Sequence, residues 1–508
     1  MMSEPLAQLA PLTLLAGLLV LSWDILMAGW MAARREAPSA FTHLTSLCGL
    51  LVAPAIVVAI ASGTADGART VSGISWLLPA VCLAFVLQVL YAIGVGLVSP
   101  VVALPILLYD LVVTLIVTGD YLVATRGEAP LPLQAVVSAR DVVFGMTVGR
   151  ASLISPFVVL VPIIAPAYPA RWRLSGVARA MLVLSASAVS TVLVIEWPRG
   201  VAAVRSYQQA TVRPMQVRPL GDFAIGMRFL PVLDGPPPAR ALKADRALAQ
   251  QFEPDVVLVV LDENGTRANA LDSLARVLEP FRGDSTIVAI ALHLPRRPIR
   301  ADDTARAATV ERLLVRLRPD VLFPAIGDPI PSVVPSEAPS ISWWRLLLRS
   351  TEAIRERVRP ATRIGVALAR LDARDSAIYA WATGTTSTVE VVGAMIYPSF
   401  SGMTGVDARL RAFDRWHARA DSLGARTLSH WLVNAGGLPH AHGDASQLLA
   451  MRQALAWASR RSWVKAAILG EPADYNGAIG VRAANGRVRK AWPMLSAEAK
   501  AMREARAR

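Results

Sequence analysis

Polar side chains, most of which can transfer protons, follow a series of apolar runs in the second half of the chain. In chain order they are Asp234, Asp262, Glu263, His293, Asp328, Asp372, Tyr397, Asn434, Glu471 and Asp474. Carboxylates dominate the set, and two carboxyl groups across a pocket can serve as proton donor and as base or nucleophile. Acids at such places also cap helices, which is the structural alternative for any one of them. The set indicates acid–base chemistry if the fold brings these side chains together.

The elements that must position these side chains are eight short apolar runs, nearly all followed by an amphipathic helical stretch. The runs are "FAIGMRFLPVL", "DVVLVVLD", "TIVAIALHL", "DVLFPAI", "RIGVALARL", "EVVGAMIYP", "TLSHWLV" and "VKAAILGE". This alternation over residues 222–508 predicts an α/β (β/α)8 TIM barrel, a fold of about 250 residues. An open doubly wound sheet is disfavoured, because the first turn has no G-x-G-x-x-G and the sequence has no P-loop. In a barrel, the side chains at the strand ends share one face.

Four stretches at the strand ends resemble the large retaining clan of (β/α)8 glycoside hydrolases, over about residues 222–495. They are "LRPDVLFPAIGDP", "EVVGAMIYPSFSG", "HWLVNAGGLPHAHGD" and "AAILGEPADYNGAIG". In that clan a Glu after the fourth strand is the acid/base, and a Glu after the seventh is the nucleophile, hydrogen-bonded by a Tyr after the sixth. The resemblance places Asp328, Asn434 and Tyr397 at these three positions. It implies a glycan or polysaccharide as the ligand.

Both decisive positions depart from the clan. Asp328 is one methylene shorter than Glu, and Asn434 cannot act as a carboxylate nucleophile. Two interpretations follow. In the first, Asp328 is the acid and Glu471 is the base of an inverting hydrolase. In the second, the barrel is a pseudoenzyme that binds saccharide as a sensor or assembly subunit, so whether the chain is an enzyme stays open.

Other side chains are candidates for saccharide contacts. They are Tyr397, His293, Asp262, Glu263, Asp474 and Trp343. Trp343 begins the helix after the fourth strand, where an indole could stack on a sugar or pack the helix. His440, His442 and Asp444 have a spacing that could suit a metal, but a polar loop is the favoured interpretation. No metal site and no cofactor are predicted, and a serine-hydrolase elbow is excluded because no G-x-S-x-G occurs.

The first part of the chain is predicted to lie in a membrane. An apolar content of 54% and a mean hydropathy of +0.44 are too high for an ordinary soluble protein. Six apolar runs approach the roughly 20 residues that span a bilayer. They cover about residues 9–31, 44–62, 76–97, 101–123, 151–168 and 177–197. The predicted organisation is an all-α polytopic domain at 1–198, a basic linker at 199–221 and the barrel at 222–508.

Arginines in short loops indicate the orientation of this domain. Arg34 and Arg35 follow the first run, and Arg171, Arg173 and Arg179 lie between the fifth and sixth. Such loops are cytoplasmic as a rule, so six spans place the barrel on the extracytoplasmic side of a bacterial inner or plasma membrane. The segment "MMSEPLAQ" carries no basic residue, so the first run is expected to remain as a span.

The charge distribution limits the choice of partners. The net charge of +14 comes from dispersed arginines without interleaved aromatics, which disfavours nucleic acid. The expected partners are a lipid bilayer and a saccharide, while partners in a membrane complex cannot be named. Asp24 and Asp110 lie inside apolar runs, where acids are functional candidates, although an acid near the membrane interface or one hydrogen-bonded to a neighbouring helix is the favoured interpretation. A six-helix transporter with the barrel as its accessory domain is a third possibility.

Overall fold

The computed structural model describes most of the chain in two compact units. The described residues are 10–32, 38–62, 74–126, 130, 133, 136, 160–166, 198, 201–202, 205–219, 222–229, 239–262, 265–282, 286–294, 304–327, 340–369, 371, 373–397, 403–437, 439, 443–474, 479–483 and 485–507. The first unit comprises residues 1–209 and 399–408, and the second comprises 210–398 and 409–508.

Long apolar helices form the first unit. They are α1 (Ala10–Ala32), α2 (Ser39–Ser62), α3 (Leu77–Val95) and α4 (Pro100–Arg126). Three of them contain segments long and apolar enough to cross a membrane, and α1 contains the shorter apolar stretch Gly17–Met31. Large apolar side chains such as Leu19, Leu50 and Val101 are exposed on these helices. A helix that is apolar on all sides suits a lipid environment, so the unit is of the kind found in membranes.

The prediction of about six spanning helices is not confirmed. The first four predicted spans correspond to α1–α4, but residues 160–166, which fall within the fifth, are not helical. Pro162 and Pro166 explain this difference, because proline cannot donate the backbone hydrogen bond that continues a helix. The sixth predicted span, 177–197, lies outside the described residues.

The second unit is a closed barrel of eight parallel strands, β1 to β8, in sequence order. The strands are Ala224–Arg228, Val256–Leu261, Ile287–His293, Val321–Ile326, Arg363–Leu368, Val391–Ile396, Ser429–Ala435 and Val464–Leu469. One helix follows each strand. These helices, α5 to α12, are Ala239–Phe252, Ala268–Leu278, Thr304–Leu317, Ile341–Val358, Ala373–Ala382, Thr404–Ser422, Asp444–Ser459 and Ala491–Ala507. The predicted (β/α)8 barrel is confirmed.

Bulky side chains fill the barrel interior. Phe323 from β4 and Trp431 from β7 lie edge to face, with ring centroids 6.0 Å apart, amid Val, Leu and Ile from the other strands. A Cβ at Gly365 would collide with the ring of Phe323. Glycine on β5 therefore makes room for the aromatic pair, and the packed interior holds the strand ends at fixed positions.

The last part of the predicted linker packs on the barrel. Arg218 is buried, and its guanidinium donates hydrogen bonds to the carbonyl oxygens of Arg461 at 2.7 Å, Val464 at 2.5 Å and Ser462 at 3.0 Å. It also pairs with Asp222. These contacts fasten the chain before β1 to the beginning of β8, which explains why residues from Ala210 belong to the second unit.

We therefore expect a fragment beginning at Ala210 to unfold cooperatively without detergent. Arg218→Ala in that fragment should lower the free energy of unfolding by about 2 to 4 kcal/mol, because several buried carbonyl groups lose their donor. Arg213→Ala is the matched control, since Arg213 is an exposed arginine of the same segment. Urea denaturation, followed by circular dichroism, measures the free energy of unfolding of both variants. Equal losses of unfolding free energy in Arg218→Ala and Arg213→Ala would contradict the stabilising role assigned to Arg218.

Candidate functional site

Four polar side chains come together at the C-terminal ends of adjacent strands. Arg228 is the last residue of β1, Tyr397 follows β6, Asn434 lies near the end of β7, and Glu471 comes two residues after β8. Each is no more than 4% exposed. Because β6, β7, β8 and β1 are consecutive around the closed barrel, their C-terminal ends form one continuous arc. This face of a barrel is where active sites are built.

Tyr397 and Asn434 form one half of this cluster. The Tyr397 hydroxyl donates a hydrogen bond to Asn434 Oδ1 at 2.7 Å. This is the contact expected from the resemblance to the retaining hydrolases. Burial raises the pKa of Tyr397, and the negative charge of Glu471 raises it further, so the hydroxyl remains a donor at neutral pH. The pair fixes the orientation of the Asn434 amide.

A bulge in β7 aims the Asn434 side chain. Ala394 of β6 pairs with Leu432, but the next residue, Met395, pairs with Asn434, so Val433 is an extra residue in β7. Bulges of this kind redirect side chains beside active sites. A Cβ at Gly393 would collide with Val433, so glycine on β6 leaves the space that the bulge occupies.

The Asn434 amide nitrogen has an unused hydrogen-bonding capacity. Asn434 is 1% exposed, yet its Nδ2 has no hydrogen-bond partner within the described part of the chain. A buried donor without an acceptor costs about 1 to 3 kcal/mol, so such a group marks a place where a ligand can supply the missing acceptor. A sugar hydroxyl or ring oxygen has the required chemistry.

Arg228 and Glu471 form the other half of the cluster. The Arg228 Nη1 lies 2.6 Å from Glu471 Oε1. The backbone amide of Arg228 donates to the carbonyl of Gly470, whose positive φ of 65° turns the chain directly after β8. The charges of Arg228 and Glu471 act on Tyr397 with opposite signs. The ion pair and the Tyr397–Asn434 pair are therefore electrostatically coupled.

The loop after β8 is held by a second ion pair. Asp474 receives two hydrogen bonds from Arg489, at 2.7 and 2.8 Å, and one from the backbone amide of Gly480 at 3.0 Å. Arg489 is 3% exposed and also lies 3.3 Å from Asp444. The backbone carbonyl of Glu471 accepts from Val481 in the same loop. The Asp474 carboxylate thus fastens the loop that begins at Glu471, and its role as a saccharide ligand stays a prediction.

The remaining candidates that the structure describes lie at the ends of β2 and β3 and at the beginning of α8. Asp262 follows β2 and accepts a hydrogen bond from the amide of Gly265 at 2.8 Å, which closes the turn into α6. His293 ends β3 and is half-buried. Trp343 is 6% exposed and packs edge to face on Trp344, with centroids 5.3 Å apart. The surroundings of Trp343 match the helix-packing alternative.

Several sequence candidates lie outside the described residues. They are Asp328, Glu263, Asp234, Asp372, His440 and His442. Gly327, directly before Asp328, follows β4 in the chain. Among the residues that the structure does describe, no group of three or more His, Cys, Asp and Glu side chains could hold a metal ion.

Arg228 and Arg489 are the two residues of this region that sequence reasoning missed. The sequence does contain a signal for Arg228, because this charged residue directly follows the otherwise apolar run "FAIGM". A buried charge requires a partner, so the run predicts an acid nearby. Arg489 had none, since arginines are common throughout this chain.

The fold and this cluster define the class, a (β/α)8 barrel with polar side chains gathered at its C-terminal face. Solved structures of TIM-barrel glycoside hydrolases are similar to it. The crystal structure of Ruminococcus gnavus beta-glucuronidase is 8% identical, with a TM-score of 0.39, and the match covers 57% of this chain and 53% of that one. Faecalibacterium prausnitzii beta-glucuronidase is 13% identical, with a TM-score of 0.38, covering 57% and 52%. A monomeric beta-xylosidase from Caulobacter crescentus CB15 is 12% identical, with a TM-score of 0.39, covering 56% and 69%.

The chain spans about half the length of the two glucuronidases. No family model matches the sequence, and neither does any curated protein. Identities and scores of this size describe a shared barrel and not a shared reaction.

Proposed function

We propose that the barrel binds a saccharide at its C-terminal face and does not cleave it by the retaining mechanism. The observation that carries this proposal is the set of contacts made by the Asn434 side chain. Asn434 is the residue that the sequence resemblance assigns to the nucleophile position. It is hydrogen-bonded by Tyr397 and keeps a buried amide nitrogen with no acceptor among the described residues.

The chemistry of the amide separates binding from cleavage. A retaining hydrolase needs a carboxylate that attacks the anomeric carbon, and a neutral amide is too weak a nucleophile for that step. The amide can still donate a hydrogen bond through Nδ2 while its oxygen accepts from Tyr397. A barrel with Asn at this position can therefore still bind a saccharide, but it does not form the covalent glycosyl-enzyme intermediate of a retaining hydrolase.

An inverting reaction is the second candidate, with Asp328 as acid and Glu471 as base. It is favoured by the position of Glu471 at the same face as Asn434. The Arg228 ion pair at 2.6 Å opposes it. A base must take up a proton, and protonated Glu471 would leave the Arg228 cation buried without its counter-charge. Non-catalytic binding is thus the function that the geometry supports best.

The helical unit suggests where this binding takes place. Three helices of sufficient length and apolarity favour membrane association of the chain. We place the barrel on the extracytoplasmic side because of the arginine distribution of the loops and the even number of spans predicted from the sequence, and on that side it would meet exported polysaccharide. A sensor or an assembly subunit of a polysaccharide system fits such a protein. An accessory role beside a transporter remains the alternative.

Titration calorimetry of the full chain in detergent, against a panel of neutral and acidic oligosaccharides, tests the proposal. Asn434→Ala should weaken binding of the best ligand by about tenfold to a hundredfold, because a buried hydrogen bond worth about 1 to 3 kcal/mol is lost. Asn269→Ala is the control, since Asn269 is an exposed asparagine at the beginning of α6. No binding of any saccharide by the folded wild type would overturn the proposal.

A further inference from the structure

A non-helical stretch of backbone runs through the interior of the first unit. Residues 160–166 are neither helix nor strand, and Val161, Ile164 and Ala165 are completely buried. Val161 and Ile164 belong to an apolar cluster with side chains of α2, α3 and α4. Backbone of this kind at membrane depth is tolerated only where other protein groups satisfy its amides and carbonyls.

Side chains of the surrounding helices satisfy these backbone groups. Asp110 Oδ1 accepts from the amide of Ile163 at 2.8 Å, and Asp24 Oδ1 accepts from the amide of Ile164 at 2.8 Å. The Gln88 side chain both accepts from and donates to the backbone of Ala165, at 3.1 Å each. The carbonyls of Val161 and Ile164 accept from Tyr109 and Trp23. Asp24 and Asp110 are thus the acceptors for two consecutive amides.

The second oxygen of each carboxylate is unused. Asp24 and Asp110 are both fully buried, and within the described residues neither Oδ2 has a hydrogen-bond partner. Because they accept from the amides of the consecutive residues Ile163 and Ile164, the two carboxylates border the same short segment of backbone. Within the described part of this unit, the other titratable side chains that interact with them are Cys48, Cys82 and Tyr109, none of which is a cation.

Two neighbouring negative charges in an apolar interior are unstable without compensation. Each costs several kcal/mol relative to water, and one backbone amide per carboxylate does not offset that cost. A single positive charge between the free oxygens would offset it. Interrupted backbone beside buried acids also places polar ligands within a helical bundle, as in ion-coupled membrane proteins.

We propose that Asp24 and Asp110 form a binding site for one small monovalent cation, either Na⁺ or the proton that replaces it. The site lies beside residues 160–166, and Oδ2 of each aspartate supplies its ligands. It gives the helical unit an ion-dependent role of its own, separate from saccharide binding by the barrel.

The melting temperature of the full chain in detergent tests the site. NaCl is titrated against choline chloride at constant ionic strength, and the series is repeated between about pH 6 and about pH 9. Asp24→Asn and Asp110→Asn are the variants, because Asn keeps an oxygen for the amides of Ile164 and Ile163 but loses the charge. Asp120→Asn is the control, since Asp120 is a further acid of α4.

If the site binds Na⁺, Na⁺ should raise the melting temperature of the wild type and of Asp120→Asn. It should not raise the melting temperature of Asp24→Asn or Asp110→Asn. A proton site predicts no Na⁺ effect and a melting temperature that falls as pH rises, because the folded site then loses its proton. This dependence should disappear in both aspartate variants. A wild type that responds to neither Na⁺ nor pH, or responses that persist in both variants, would overturn the proposal.

Labelling of the wild type gives a second readout if a variant does not fold. A hydrophobic carbodiimide modifies protonated carboxyl groups in apolar surroundings, and peptide mass spectrometry locates the adduct. Modification of Asp24 or Asp110 that Na⁺ or raised pH suppresses supports the site. Two unmodified aspartates, or modification that neither condition changes, would count against it.

Discussion

Asn434→Glu should give the barrel measurable activity on aryl glycosides, where the wild type has none. The substitution places a carboxylate at the end of β7, beside a Tyr397 hydroxyl that already donates to this side chain. A carboxylate there can attack the anomeric carbon, and Asp328 is the candidate acid that protonates the leaving group. Asn434→Asp should be weaker, because its carboxylate is one methylene further from the sugar.

Asn434→Gln is the matched control for this gain of activity, because the Gln side chain has the length of Glu but carries no charge. Adding Asp328→Ala to Asn434→Glu should lower the new activity by about 10² to 10⁴, the usual contribution of a general acid, with the larger losses on poorer leaving groups. Release of nitrophenol, followed by absorbance, measures the activity of the wild type and of all four variants. If folded Asn434→Glu releases no more nitrophenol than Asn434→Gln, Asn434 does not occupy the nucleophile position.

Breaking the Arg228–Glu471 ion pair should have the largest effect on stability. Either Arg228→Met or Glu471→Gln alone should lower the free energy of unfolding by about 3 to 5 kcal/mol, because the remaining group is a buried charge without a counter-charge. Both side chains are at most 4% exposed, so water cannot replace the missing partner. The double variant should lose much less than the sum of the two single variants.

A surface ion pair of similar geometry is the control for this double-mutant cycle. Arg357 and Glu311 lie 2.7 Å apart, but their side chains are 67% and 44% exposed. Their coupling should not exceed about 1 kcal/mol. Urea denaturation of the fragment beginning at Ala210 measures both cycles. Equal coupling energies for the two pairs would show that burial does not set the strength of the Arg228–Glu471 interaction.

The barrel could be predicted because its pattern is local. Each run such as "DVVLVVLD" is apolar throughout, as strands buried on both faces are, and a helical stretch follows it. The strand-end position of Asn434 follows from this pattern, and its proximity to Tyr397 came from the family resemblance. The bulge at Val433 could not be predicted, because the register of β7 depends on how it pairs with β6.

Long-range contacts limited the prediction of the rest. Arg228 and Glu471 are brought together only when β1 pairs with β8 and closes the barrel. In the first unit, hydropathy locates apolar segments but does not determine their backbone conformation. Residues 160–166 are as apolar as a spanning helix, yet Pro162 and Pro166 and the acceptors Asp24 and Asp110 allow a non-helical path instead.

The central claim is that the wild-type barrel binds a saccharide and leaves it intact. Proton NMR of the full chain, incubated with the oligosaccharide that it binds most tightly, tests this directly, since hydrolysis creates new anomeric signals. The prediction is a spectrum of intact ligand after prolonged incubation at a concentration that saturates the site. Steady appearance of a free reducing end, abolished by Asp328→Asn or Glu471→Gln, would contradict the claim and establish the inverting hydrolase instead.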